Sequence, residues 1–375
     1  MHLLHLVCAQ ARRLRMDRGA GVNSNLNISL YSALKYDMIT ILKNPARRIR
    51  KGDHSMKKIR WGVLGTAHIA EKQTIPGMQN AKNCELYAIA GRNLEKAKDF
   101  QNRFGFQKAY GSYDELLEDP DVEAVYIPLP NHLHKEWVLK AAAHKKHILC
   151  EKPMSGSAKD TREMFQACKD AGVILMEAFA YLHSPLMQKL KLQIEEGLIG
   201  EVNFIESMFY TPGYEDNIRI HRETLGGSVY DLGCYNITFA SYLFGEVPIS
   251  AKAVSHFTEE HIDDMTCGQL LYPGNKRAVF SCAMFPHQRG DRSFIYGTKG
   301  ILEVPVSFNA EGTQKWYLIE GEKRTAFFMD IPNNYMLEVE QLGNCILNGE
   351  TPHVSAEFSI QTAETMDMVL KSCGY

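Results

Sequence analysis

The chain has 375 residues, 45% hydrophobic and 23% charged, with a formal net charge of −2, a globular profile with room for two cored domains. So even a balance gives no ground for a nucleic-acid or membrane partner, and no apolar run approaches the roughly 18 residues of a membrane span. Nine cysteines without close pairing fit free thiols in a reducing, cytoplasmic compartment better than a disulfide scaffold.

Charge is unevenly placed. Residues 1–55 carry ten Lys and Arg against three Asp, a net of +7, so the remainder carries −9. The opening "MHLLHLVCAQARRLRMDRG" puts its charges after the apolar stretch, the wrong order for a signal peptide. "NPARRIRKGDHS" reads as linker, and "MKKIRWGVLG" then begins abruptly as a strand. Met56 is therefore expected to be the true start, with 1–55 a leader absent from the native protein; the alternative is a genuine basic, disordered or targeting arm.

From Met56 strands and helices alternate. "IRWGVL" (Ile59–Leu64) is a strand, followed by a small-residue turn and a helix from about Ile69. "CELYAIA" (Cys84–Ala90) is the second strand. "LEKAKDFQNRF" (Leu94–Phe104) is an amphipathic helix with Asn93 as N-cap and Gly105 as its stop. Strands follow at Val122–Leu129, His147–Cys150 and Val173–Ala180, and helices at Lys135–Lys145 and Thr161–Gly172. This alternation predicts a doubly wound parallel sheet, an α/β Rossmann domain over 56–180.

After residue 180 the texture changes. A helix at Pro185–Gly197 leads to a long strand at Val202–Tyr210, a glycine-rich turn, and a helix from Tyr230. "SAKAVSHF", "MTCGQLLY", "RAVFSCAMF", "RSFIYG", "ILEVP" and "KWYLIEG" read as strands joined by short turns. Helices near Asn334–Leu347 and Glu357–Leu370 close the chain. Residues 181–375 are thus expected to form an α+β domain with a large, open, mainly antiparallel sheet, its last helix free to return to the first domain.

Three stretches carry chemistry. "GTAHIA", Gly65-Thr66-Ala67-His68-Ile69-Ala70, follows a strand and opens a helix. Gly65 permits a tight turn, Ala67 lets backbone approach a pyrophosphate, and the helix start offers N–H groups to an anion. The competing reading is an ordinary small-residue turn. Where an NAD site would place an acid, the second strand ends in "AGRN". Arg92 suits a 2′-phosphate, favouring NADP(H) over NAD(H), unless it is simply solvated.

Next, "IPLPNHLH" lies beyond a strand's carboxyl end, so Asn131 and His134 contact cofactor, or His134 begins the following helix; two alternating histidines on a loop make no metal site. Glu151 and Lys152 of "CEKPMSG" open into the same crevice. Farther on, "LGGSVYDLGCYNI" has Gly226-Gly227 as a flexible approach. Asp231 and Tyr235 follow, four residues apart on one helix face. A tyrosine can take an alcohol proton when an ammonium stabilises its phenolate, so Lys152, Tyr235 and Asp231 make a chemically coherent set.

In their order and wording, these stretches, together with "MEAFAYLHSP", resemble the Gfo/Idh/MocA oxidoreductases, named after glucose–fructose oxidoreductase and inositol dehydrogenase. The resemblance runs from about Lys57 to the last helix. It implies that Lys152 is the catalytic-site lysine and that the second sheet makes homo-oligomer contacts. Many members have histidine four residues after the aspartate. Tyr235 there resembles instead the branch of dihydrodiol dehydrogenase, D-xylose dehydrogenase and glucose–fructose oxidoreductase. Glu177, His183, Arg219 and Arg222 are expected either to line the substrate pocket or to be structural. The function expected is an NADP(H)-dependent oxidoreductase for a sugar, cyclic polyol or dihydrodiol. A glycosidase using transient oxidation and a dinucleotide-sensing regulator are the alternatives, the last disfavoured by intact acid–base groups.

Overall fold

Near-continuous apolar runs become strands buried on both faces, with a short half-buried strand added at one edge. β1 (Ile59–Leu64), β2 (Cys84–Ala90), β3 (Lys108–Tyr110), β4 (Ala124–Ile127), β5 (His147–Glu151) and β6 (Leu175–Ala178) form a parallel sheet in the order β3-β2-β1-β4-β5-β6. The structure is a computed structural model describing residues 57–375 other than 216 and 286, so the expectation for residues 1–55 lies outside the described residues. Ile59, Trp61, Val63 and Leu64 have no exposed surface, and each such side chain contributes about 1.5–3 kcal/mol of burial. Strand order reverses between β1 and β4, which opens a crevice beyond their carboxyl ends.

Helices α1 (Ile75–Asn80), α2 (Leu94–Phe104), α3 (Tyr113–Glu118), α4 (His134–Ala143) and α5 (Ala158–Ala171) flank this sheet. Local chemistry sets their ends. The Asn93 side chain accepts the Lys96 N–H at 3.1 Å to start α2, and Gly105, at φ +82°, stops it.

The second sheet has eight strands. They are β7 (Val202–Tyr210), β8 (Ser250–Phe257), β9 (Asp263–Leu271), β10 (Arg277–Ala283), β11 (Gly290–Gly297), β12 (Ile301–Val304), β13 (Gly312–Glu320) and β14 (Lys323–Ile331). Their order is β14-β13-β12-β11-β7-β10-β9-β8, antiparallel throughout except between β7 and β10. The helix α6 (Pro185–Glu195) and the buried α7 (Cys234–Phe244) accompany this sheet, and Asn236 of α7 donates to Ser207 Oγ on β7 at 2.8 Å.

The last two helices return to the first half. On α8 (Asn334–Asn348), Glu340 offers its carbonyl to the Asn83 amide at 2.8 Å, and Asn344 its side-chain oxygen at 3.0 Å. Asp367 on α9 (Ala356–Cys373) accepts the Ala158 N–H at the start of α5 at 3.0 Å, while Ser372 accepts the Ala253 N–H of β8 at the same distance. The helix α9 therefore ties the first half to an edge of the second sheet. Among the described residues no helix is long and apolar enough to cross a membrane.

Candidate active site

The crevice begins with bare backbone. Gly65 sits at φ +124° and donates its N–H to Ala90 O at 2.9 Å, turning the chain from β1 into a helical run that starts at His68. A Cβ there would press on Leu129 at 3.2 Å and lie in ordinary contact with the Tyr113 hydroxyl at 3.6 Å. Thr66, Ala67 and Ile69 are half-buried along this turn, while His68 and Arg92 are exposed. The run is π-wound over Ala70–Thr74 and has no side-chain cap at Ile69. A glycine turn of this shape fits a dinucleotide pyrophosphate, with the helix start facing the anion. Burial raises Tyr113 while Arg92 lowers it, so the guanidinium stands beside that hydroxyl at the rim.

Two expected contacts are turned inward. His134 opens α4 fully buried, its ring nitrogens 2.9 Å from Pro153 O and 2.8 Å from Leu129 O. His134 begins the helix, the second of the two readings the sequence leaves open, and with both nitrogens against chain carbonyls it braces two turns of the crevice. The Asn131 amide donates to Leu225 O at 2.9 Å, linking the β4 turn to the loop before Gly226.

Lys152 follows β5 through a cis peptide to Pro153. Its side chain is 9% exposed, and Nζ donates to Asp231 O at 2.7 Å and to Asp231 Oδ1 at 3.1 Å. The other carboxylate oxygen of Asp231 meets Arg219 Nε at 2.8 Å. These two cations hold the Asp231 carboxyl well below the usual range against its burial. Lys152 is correspondingly raised by Asp231, although desolvation opposes this. Glu151 accepts a hydrogen bond from Tyr126 at 2.6 Å and from the Lys152 N–H at 3.2 Å, and burial raises its carboxyl.

Tyr235 lies on the same helix as Asp231, in an aromatic nest of Phe179, Tyr181, Phe209 and Phe308 with ring centroids 5.3–5.7 Å away. Lys152 Nζ is 4.8 Å from the Tyr235 ring centroid, over the ring. The sequence leads one to expect an ammonium that depresses the phenol. In the structure burial drives it well above 10, the nearby Cys234, Glu151 and Asp231 push the same way, and Asn309 pulls it down.

The remaining candidates separate. Arg219 belongs to the ion cluster, whereas Arg222 is exposed, donating to His261 O at 3.2 Å. Glu177, 1% exposed, accepts the Met154 N–H at 2.7 Å behind the Lys152 turn, and burial lifts it to about 7. His183 is buried against His353, rings 5.4 Å apart, and burial lowers it to about 3. Neither side chain is open to a pocket.

The glycine pair is also not a flexible approach. A Cβ on Gly226 would sit 2.4 Å from Arg219 O, and one on Gly227, at φ +120°, 2.2 Å from Asp263 Oδ1. Close packing, not mobility, requires glycine there. Sequence reading missed Asp263, Phe308 and Asn309, which come from strands and loops with no local signal of their own.

Known proteins resemble this chain over most of its length. The family model for the oxidoreductase family with an NAD-binding Rossmann fold matches residues 59–179, and that for the GFO/IDH/MocA C-terminal domain matches 187–303. A D-xylose 1-dehydrogenase (NADP(+)) of Haloferax volcanii is 37% identical over 318 residues, 83% of this chain and 96% of the relative. The chain belongs to the Gfo/Idh/MocA oxidoreductase family. This Gfo/Idh/MocA protein is an NAD(P)-dependent dehydrogenase or reductase. A trans-1,2-dihydrobenzene-1,2-diol dehydrogenase of Xenopus laevis is 32% identical over 337 residues, covering 84% of this chain and 98% of the relative. Among solved structures, the 3-ketoreductase KijD10 from Actinomadura kijaniata, in complex with NADP and TDP-benzene, superposes with a TM-score of 0.79. It is 28% identical and covers 84% of this chain and 98% of its own.

Proposed function

We propose that this oxidoreductase transfers hydride between NADP(H) and a carbonyl or alcohol carbon of a sugar, cyclic polyol or dihydrodiol, with Lys152, Asp231 and Tyr235 gathered at the reacting oxygen. The observation carrying this reading is the position of the Lys152 ammonium, beyond the carboxyl end of β5, between the Asp231 carboxylate and the Tyr235 ring. When bound, the nicotinamide supplies or takes the hydride. Gly65, Thr66, Ala67, His68 and Ile69 would hold the pyrophosphate, and Asn131, Glu151 and Lys152 would lie along the nicotinamide end.

An ammonium has three N–H bonds. Two of the Lys152 bonds go to Asp231, leaving one for a substrate oxygen. Asp231 fixes the direction of that third bond, and Arg219 fixes Asp231. Tyr235, neutral at physiological pH because burial keeps it far above 10, is ready to donate its proton to a carbonyl oxygen as it becomes an alkoxide. In the oxidative direction the phenol must first lose that proton.

NADP(H) is preferred in this reading because Arg92 stands at the rim where an acid would reject a 2′-phosphate. The sugar-like substrate rests on the relatives, whose names specify D-xylose and a dihydrodiol. The same reading places the protein in the cytoplasm as a homo-oligomer. Val254 on β8 and Phe328 on β14 leave 77% and 66% of their surface exposed and supply apolar contact area for a second sheet.

D-xylose oxidation by NADP+ should rise with pH through 9, while the reverse reduction stays flat through neutrality. Tyr235→Phe should lower turnover roughly 10²–10⁴-fold and abolish the rise, with NADP+ binding unchanged by fluorescence titration. Full turnover in Tyr235→Phe or Lys152→Ala at every pH would reject the assigned roles.

A further inference from the structure

Asp231 and Tyr235 can act only if the segment that carries them starts in a fixed register. That segment, helical from Ser228 and π-wound over Val229–Gly233, begins with amides that need an acceptor. Its own first residue does not cap it, since Ser228 makes no side-chain cap bond.

The acceptor comes from elsewhere. Asp263, at the start of β9 and with no exposed surface, turns its carboxylate onto the helix start. Oδ2 accepts the Val229 N–H at 2.9 Å, the Ser228 hydroxyl, and the Thr266 hydroxyl at 2.7 Å. Oδ1 accepts the Tyr375 hydroxyl at 2.6 Å, and the oxygen of that hydroxyl in turn accepts the Asp263 N–H at 2.9 Å. Tyr375 thus grips Asp263 through both its carboxylate and its backbone. Its ring is held by Phe257 and Tyr230, with centroids 5.2 and 6.3 Å away, and the Arg222 guanidinium lies 5.6 Å over it. Gly227 explains why nothing else fits: a Cβ would lie 2.2 Å from Asp263 Oδ1 and 2.7 Å from the Tyr375 hydroxyl. Two residues beyond Val229, the Asp231 N–H bonds back to Gly227 O at 3.0 Å, so the clamped end is contiguous with the Lys152 partner.

We infer that Tyr375 and Asp263 are positioning residues: together they form a clamp that sets the register of the 228–235 helix and thereby the placement of Asp231 against Lys152. This rests on the site reading above, because the clamp touches neither substrate nor cofactor. Its four donors converge on one buried carboxylate at a helix start, where negative charge is favoured. Losing the Tyr375 hydroxyl leaves Oδ1 without its donor and the Asp263 N–H without its acceptor, and that loss falls on the first helical turn.

The test uses the full chain with Tyr375→Phe, which keeps the ring and removes the hydroxyl. Hydrogen–deuterium exchange followed by mass spectrometry should show residues 229–235 exchanging roughly tenfold faster, the scale of one lost buried hydrogen bond, with β1 and β4 unchanged. With D-xylose and NADP+, kcat should fall by a similar factor while the KM for NADP+ holds. The comparison variant is Tyr272→Phe, which removes a buried hydroxyl 3.1 Å from Ser241 toward the other end of the same helix; it should alter neither exchange at 229–235 nor kcat. Unchanged exchange in Tyr375→Phe, or an equal loss in Tyr272→Phe, overturns the clamp. Exchange is read without substrate, so it decides the clamp even where D-xylose is not turned over. A fully active Lys152→Ala would count against the site reading and leave the clamp standing.

Discussion

Gly65 at φ +124° and Gly227 at φ +120° each turn the chain into a helical run whose early part is π-wound, over Ala70–Thr74 and Val229–Gly233. The surroundings of the two starts are opposite. At Gly65 a missing Cβ leaves space bordered by a leucine side chain and a hydroxyl, beside an exposed His68 and Arg92. At Gly227 the corresponding space is filled by the carboxylate of Asp263 and the phenol of Tyr375. A helix start attracts an anion in either case. Where the protein supplies its own anion, as at Gly227, the start is structural; at Gly65, where Ile69 makes no side-chain cap bond, the start fits the anion of a ligand.

Alanine at each glycine separates the two cases. Gly227→Ala should cost the fold about 4 kcal/mol, since backbone strain is joined by a clash with a buried carboxylate that has no room to move; denaturant titration measures it. In Gly65→Ala the neighbour is the end of the flexible Leu129 side chain. The fold should lose only about 1–3 kcal/mol of strain, and the larger effect should be weaker NADP+ binding, read by fluorescence titration. Equal stability losses with intact cofactor affinity would erase the distinction. The smallest expected change sharpens the open end: Arg92→Ala should raise the KM for NADP+ roughly tenfold, the value of a charged hydrogen bond, and leave that for NAD+ unmoved.

Legibility followed sequence distance. β1, β2, β7 and β8 can be read to the residue because continuous apolar runs or strict alternation mark them. α2 can be read as well, because Asn93 and Gly105 punctuate it. β3 and α3 escape notice: each is too short for periodicity, and β3 is only half-buried. β14 also escapes, since in this edge strand the apolar run Ala326–Met329 masks the alternation of exposed and half-buried positions that the fold imposes. In the site, Lys152 and Asp231 are brought together as their motifs imply. The orientation of the ammonium over the Tyr235 ring is not contained in any spacing. Asp263 and Tyr375, 112 residues apart, carry no motif, and only the tertiary fold joins them. His134 shows the converse, where a motif position suggests ligand contact and burial assigns it to two carbonyls instead.

The return of α8 to the first half bears on how the molecule is made. Asn83, in the turn before β2, is completed by Glu340 and Asn344. During synthesis the nucleotide-binding half, whose last strand ends at Ala178, therefore keeps that flank uncovered until Glu340 and Asn344 follow, about 160 residues later. A domain that would otherwise close early must wait for that cover, which includes the packing of Tyr335 and Met336 against Gly77 of α1.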